Sequence, residues 1–258
     1  MEKNYSVPNL ERSIDIIEYL SKEKKDLTIT EIARNLNFPR NSVLRILKTL
    51  IERGYMVSLS GKTYRLSSKL LSVGYEAVSE QNVLEYASKP MHDLRDEVNE
   101  TVFLGVILGT KGVVLEEVLS RNIVKVKVGV GTQFLIYTSA PGKAVLAYMD
   151  EHRKNTVLDQ ISFKRFTDTT IGSREEMIAE IDKIIQQGFA VDHEEQIPGI
   201  NCVSCPIFNF RKEPVAALWV GGQAHQLKPQ KFTELGEIVK KYALEISKKN
   251  GYIPENVK

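Results

Sequence analysis

Cysteine is scarce in this chain: Cys202 and Cys205 are the only two in 258 residues, too few for a disulfide framework and in keeping with a reducing compartment. Long apolar runs are missing as well. None approaches the ~20 residues that cross a bilayer, and the opening Met1-Glu2-Lys3-Asn4-Tyr5 has no apolar stretch behind its charges. A cytoplasmic protein without a membrane partner is the expectation. Charge of one sign is equally sparse, the net value being +2, so the molecule as a whole is no electrostatic coat for nucleic acid. What is present is ordinary for a globular protein able to bury a core, with 42% hydrophobic and 26% charged residues. The length allows one large domain or two small ones.

The charge is unevenly spread. Between Arg34 and Lys69 stand eight bases, Arg34, Arg40, Arg45, Lys48, Arg53, Lys62, Arg65 and Lys69, against the single acid Glu52, a local charge of +7. The remainder is therefore net acidic. A basic block in a balanced chain suits phosphate binding, because each neutralised phosphate releases counterions.

Apolar spacing organises this region. Leu10, Ile14, Ile17 and Leu20 predict a first helix, and Thr28 with Glu31 predicts a capping box opening a second, with Ile32, Ala33 and Leu36 on its buried face. A third helix, from about Asn41 to Arg53, ends at Gly54, a residue suited to a left-handed cap. At 100° per residue it divides into two faces. Val43, Leu44, Ile46, Leu47, Leu50 and Ile51 share one, and Asn41, Ser42, Arg45, Lys48, Thr49 and Glu52 the other. Residues 55–58 and 63–66 read as strands around the turn Ser60-Gly61-Lys62.

Three helices and a hairpin make a winged helix-turn-helix. Its third helix suits the major groove of double-stranded operator DNA, with Asn41 reading adenine, Arg45 reading guanine, and Ser42 and Thr49 touching base or phosphate. Arg40, Lys48 and Lys62 would sit on phosphates, which position without specifying.

Residues 1–69 are thus expected to form the DNA-binding domain. Residues 70–88 are read as a connecting helix that also serves subunit pairing, and 89–258, after Lys89-Pro90, as a second domain. In the latter, strands are expected at 102–108, 113–116, 123–128, 202–208 and 215–220. Helices are expected at 143–148, at 175–187 with Ser173 and Glu176 as a second capping box and Gly188 beyond, and at the end with Phe232, Leu235, Ile238, Val239, Tyr242 and Ile246 on one face. The irregular alternation gives α+β as the fold class.

The chain resembles the IclR family of bacterial transcriptional regulators over nearly its whole length. The residues that carry the resemblance are the run from Thr28 to Leu36, Phe38-Pro39-Arg40-Asn41-Ser42-Val43-Leu44-Arg45-Ile46-Leu47, the stretch Ala140-Pro141-Gly142-Lys143-Ala144-Val145-Leu146-Ala147, the stretch from Gly188 to Glu195, and Gly199 to Ile207 with its Cys202 and Pro206. The resemblance implies a GAF-like effector-binding domain with a small-molecule pocket beside a curved sheet, in a homodimer or tetramer on a near-palindromic operator. Pocket positions carried over are Ile123, Val126, Ala140, Pro141, Asp192 and Cys202. Where members that bind small 2-oxo acids have two serines on the strand after the cysteine, this chain has Trp219 and Gly221, and Pro141 lacks an N–H to hold a carboxylate. These departures argue against a glyoxylate-like or pyruvate-like ligand and leave a small organic acid, sugar acid or aromatic catabolite. Trp219 either faces the pocket, able to stack on a ligand and donate its indole N–H, or faces the core.

Other features carry less. Cys202 and Cys205, three apart on a strand, point to opposite faces, unlike a redox C-x-x-C at a helix start. His92, His152, His193 and His225 are dispersed without metal-ligand spacing, so neither metal nor cofactor is expected. The glycines of 105–112 and 129–131 are strand-turn glycines, not a phosphate cradle. The alternative to a regulator is an enzyme using Cys202 as nucleophile with His193 or Asp192 as base, though no orienting third group or oxyanion turn accompanies them. A plain architectural DNA binder would leave the second domain without purpose.

Overall fold

The computed structural model describes residues 6–23, 25–78 and 83–254. The opening Met1 to Tyr5 and the stretch 79–82 within the expected connecting helix lie outside the described residues. The chain divides into two compact units, Met1–Glu80 and Gln81–Lys258.

In the first unit, α1 (Pro8–Lys22), α2 (Ile29–Asn35) and α3 (Arg40–Glu52) pack around Ile16, Leu20, Ile32, Val43, Ile46 and Leu47. Thr28 caps α2 as expected: its hydroxyl accepts from the Glu31 N–H while the Glu31 carboxylate accepts from the Thr28 N–H. Both orphan donors are thereby satisfied. The wing is β2 (Met56–Leu59) and β3 (Thr63–Leu66), antiparallel, with β1 (Leu27–Thr28) on the outer side of β3. Ser60 and Gly61 at its turn both have positive φ, the signature of a tight hairpin turn that follows the strand twist. Leu44 departs from the two-face division of α3. It is 40% exposed, because it stands one turn from both Arg40 and Lys48, at the border of the polar stripe rather than within the apolar one. Helix α4 (Lys69–Val78) closes the unit.

The second unit is built on a six-stranded, wholly antiparallel sheet, in the order β6 (Gln133–Leu135), β5 (Lys111–Val118), β4 (Thr101–Leu108), β9 (Pro214–Gln223), β8 (Ile200–Phe208), β7 (Ala190–His193). Strand alternation assigns its two faces. Val102, Leu104, Val203, Cys205, Leu218 and Val220 pack against α5 (Val83–Val98) and α9 (Phe232–Lys249). Phe103, Cys202, Ala217 and Trp219 face the other way, toward α6 (Ala140–Ala147), behind which lies α8 (Arg174–Gln187). The two cysteines accordingly fall on opposite faces.

Three differences from the sequence expectation have identifiable causes. The boundary at Lys89-Pro90 is instead the middle of α5, whose Val83, Ala87, Met91 and Leu94 all enter the second unit's core. Segment 123–128 forms no strand despite its alternating valines. Short β6 pairs only with residues 111–113 of β5, Val114 bonds to Thr132 and Gly131, and the N–H groups of Val128 and Gly129 are satisfied by the Glu117 carboxylate instead of a ladder. Ser173 caps α8, but the Glu176 carboxylate accepts from Gly172 rather than completing the box. Helix α7 (Glu151–Gln160), β6 and β7 were not anticipated.

Candidate functional site

Helix α3 presents Arg40, Asn41, Arg45, Lys48 and Thr49 to solvent, with Ser42 half-buried, while Lys62 sits exposed on the wing turn. Among the described residues Arg40, Arg45 and Lys48 make no ion pair, so their charge is not spent internally. That of one basic neighbour is. Lys69 donates to the Arg53 carbonyl at 2.7 Å and lies 4.6 Å from the Tyr55 ring centre, neutralising the negative end of α3. Thr49 donates its hydroxyl to the Arg45 carbonyl, leaving only its acceptor lone pairs for an outside partner. The sequence did not single out Arg12. It projects from α1 to the start of α3, with Nη1 3.4 Å from the Ser42 hydroxyl and its guanidinium 5.7 Å from the Phe38 ring centre. A groove of about 510 Å³ runs between Arg12 and Ser13 of α1 and Asn41, Arg45 and Thr49 of α3.

In the second unit, register brings the carried-over pocket residues side by side. Asp192 on β7 pairs with Cys202 on β8, and Cys202 with Gly221 on β9, so the three form one row across the α6 face. Trp219 stands in the next row, opposite Ser204 and Phe103. It does face the α6 side, yet it is only 5% exposed. Phe103 stacks on it at 5.3 Å between centroids, and Phe134 meets it edge-on at 5.6 Å. Gly105 lies beneath, where an added Cβ would come within 3.0 Å of the indole. The ring is therefore wall rather than free stacking platform. Its N–H has no partner among the described residues. Gly221 is explained by the same packing, since a Cβ there would sit 3.1 Å from the Phe103 ring and 3.3 Å from the Cys202 sulfur.

Val126 packs against this aromatic cluster, but Ile123 is 98% exposed and touches none of it. Without a strand at 123–128, nothing turns its side chain inward. Ala140 and Pro141 are buried in the first turn of α6, capped by the Ser139 hydroxyl accepting from Gly142. Gly142 is obligatory there, because a Cβ would fall 2.3 Å from the Ile136 Cα.

Lys143, on the same turn, was named in the sequence motif but not as a pocket position, and it is fully buried. Its ammonium donates to Glu195 Oε1 and lies 3.7 Å from Glu180 Oε1. Glu195 in turn donates its backbone N–H to Asp192 Oδ1 at 2.9 Å, and its Oε2 is buried without a partner among the described residues. Burial first, then the nearby Glu195 charge, pushes the Asp192 carboxyl up to about 7. Burial likewise pushes the Cys202 thiol up, so it is held neutral. That is the opposite of an activated nucleophile. His193 points away from Cys202 as the strand alternates, its ring edge-on to Phe232 of α9 at 5.7 Å.

The raised Asp192 pKa implies a pH-dependent stability. A carboxyl that binds its proton more tightly when folded stabilises most below its unfolded value near 4, and that contribution is lost as pH climbs through 7. Asp192→Asn keeps the acceptor for Glu195 but cannot ionise. The variant should match wild type in melting temperature near pH 4 and exceed it increasingly toward pH 8. Parallel melting curves across that range would contradict the assignment.

Together a winged helix-turn-helix with an uncommitted basic face and a second unit built on an antiparallel sheet flanked by helices define a DNA-binding transcriptional regulator. The comparisons agree in both halves. Residues 9–59 match the IclR helix-turn-helix domain and 75–248 the bacterial transcriptional regulator IclR C-terminal domain. The chain belongs to the IclR family. It is 26% identical to the regulator XynR of Escherichia coli K12 over 95% of this chain and 98% of that one. It is 28% identical to KdgR of Dickeya chrysanthemi over 96% and 81%. Among solved structures, Thermotoga maritima IclR is similar with a TM-score of 0.77 at 29% identity, covering 95% of this chain and 99% of that one. The relatives are named as regulators, and no helix among the described residues is long and apolar enough to cross a membrane.

Proposed function

We infer that the chain is an effector-responsive regulator that binds a small organic acid, sugar acid or aromatic catabolite in the cleft between α6 and the row Asp192, Cys202, Gly221. It acts from the cytoplasm as a homodimer or tetramer on operator DNA. What supports the ligand class is the set of side chains on that row and beside it. A carboxyl raised to about 7, a neutral buried thiol and an unpartnered indole N–H offer donors beside the Lys143 cation. Acceptor-rich ligands, carboxylates and hydroxyls, match such a set. On the DNA side, Asn41, Ser42, Arg45 and Thr49 would meet base edges or phosphates, with Arg40, Lys48, Lys62 and Arg12 on the backbone.

A thermal-shift screen of organic acids, sugar acids and aromatic catabolites tests the reading. A ligand at 100 times its dissociation constant should stabilise by about 2.7 kcal/mol. The same ligand should change the fluorescence of Trp219, the sole tryptophan. Silence across the library, or a stabilising ligand that leaves Trp219 emission flat, would overturn the cleft assignment.

A further inference from the structure

On the opposite face of the sheet from Trp219, a cavity of about 620 Å³ opens between the end of α5, the turn 225–228 and the start of α9. That volume lies within the range of small-molecule sites. Leu227, Leu235 and Ile238 supply apolar wall. At its base Glu100 lies over Gly222, where an added Cβ would fall 2.9 Å from the carboxylate and 2.5 Å from Leu227 Cδ1. The missing side chain of Gly222 is what gives Glu100 its seat.

Glu100 is half-buried and has no hydrogen-bond or ion-pair partner among the described residues. Burial pushes its carboxyl up to about 6 against the pull of Lys231. Its neighbour Glu97 is, by contrast, spent on Lys241 at 3.0 Å and the Tyr242 hydroxyl at 2.7 Å. At the rim, Lys228 and Lys231 are exposed and make no ion pair among the described residues.

A carboxylate half-withdrawn from water calls for a compact multi-donor cation, which an ammonium with three N–H groups provides. Two unengaged lysines at the mouth suit a carboxylate. We propose that this cavity binds a small zwitterion of the amino-acid class, Glu100 holding the ammonium, Lys228 and Lys231 the carboxylate, and the leucine-lined wall the side chain. The regulator would then take a second ligand, independent of the cleft under α6.

Calorimetric titration of the full chain with each protein amino acid at about pH 7.5 tests this. At least one should bind, and its decarboxylated amine and its deaminated acid should each bind about tenfold more weakly. Glu100→Gln should cost about tenfold and Lys231→Ala several-fold, while the emission of Trp219, the sole tryptophan and on the opposite face of the sheet, should not respond to the amino acid. Wild-type binding should weaken toward pH 5 as Glu100 takes up a proton. Lys228, Lys231, His225, Glu97 and Glu234 also face the cavity and are unchanged in Glu100→Gln, so the part of the pH response owed to Glu100 is the difference between wild type and that variant, and it must be clearly above zero. Binding by no amino acid, binding undiminished in both Glu100→Gln and Lys231→Ala, or a change in Trp219 emission on saturation with the amino acid would overturn the proposal.

Discussion

Replacing Lys143 with methionine is expected to destabilise the second unit by about 3–5 kcal/mol at pH 8, the scale of breaking a buried ion pair from one side. The side chain is fully buried, so its loss cannot be covered by water, and Glu195 would be left charged beside Asp192 with one oxygen already unpartnered. For a unit of this size the melting temperature should fall by roughly 8–15 °C. The deficit should shrink at lower pH, where Glu195 can take a proton. The double variant Lys143→Met/Glu195→Gln should recover much of the loss, because removing both charges removes the desolvation cost as well. A wild-type melting curve for Lys143→Met would show that the pair is not formed. The double variant also separates stability from sensing: refolded but without the cation, it should bind a carboxylate effector more weakly.

Arg45→Ala should have the second large effect, on DNA. If Arg45 holds a guanine edge bidentately, its loss costs about 1–3 kcal/mol in operator affinity and relaxes preference at one base position per half-site. Lys48→Ala should behave differently. It should weaken binding to all sequences alike and flatten the slope of log affinity against log salt by about one, as one phosphate contact disappears. Selection of binding sites from a random DNA pool, followed by titration at several salt concentrations, distinguishes the two. The assignment fails if Arg45→Ala leaves the selected motif intact. It fails equally if the wild-type affinity ignores salt.

The winged helix was legible because its signals are local. A capping box, a glycine stop and a 3.6-residue apolar stripe act within one or two turns, and they foretold α2, α3 and the hairpin within a residue or two. Leu44 shows the limit of that reading, since a wheel assigns sides but not where the border with solvent falls. In the second unit the strands paired within the sheet's interior were legible, and so was the opposite orientation of Cys202 and Cys205. Segment 123–128 was not. Alternating valines satisfy a strand's side-chain pattern, but a strand also needs a partner for its backbone, and here the N–H groups of Val128 and Gly129 go to the Glu117 carboxylate rather than to a neighbouring strand.

The residues themselves therefore determined the class of protein: a local charge of +7 over residues 34–69 around a two-faced helix, and motifs matching a regulator's effector domain. Tertiary structure alone decided the state of the cleft. It buried Lys143 against Glu195 across 52 residues of sequence, raised Asp192 by desolvation, walled Trp219 in between Phe103 and Phe134, and left Ile123 outside. Each of these depends on which groups lose water and which meet, and burial and long-range pairing have no counterpart in the order of residues along the chain.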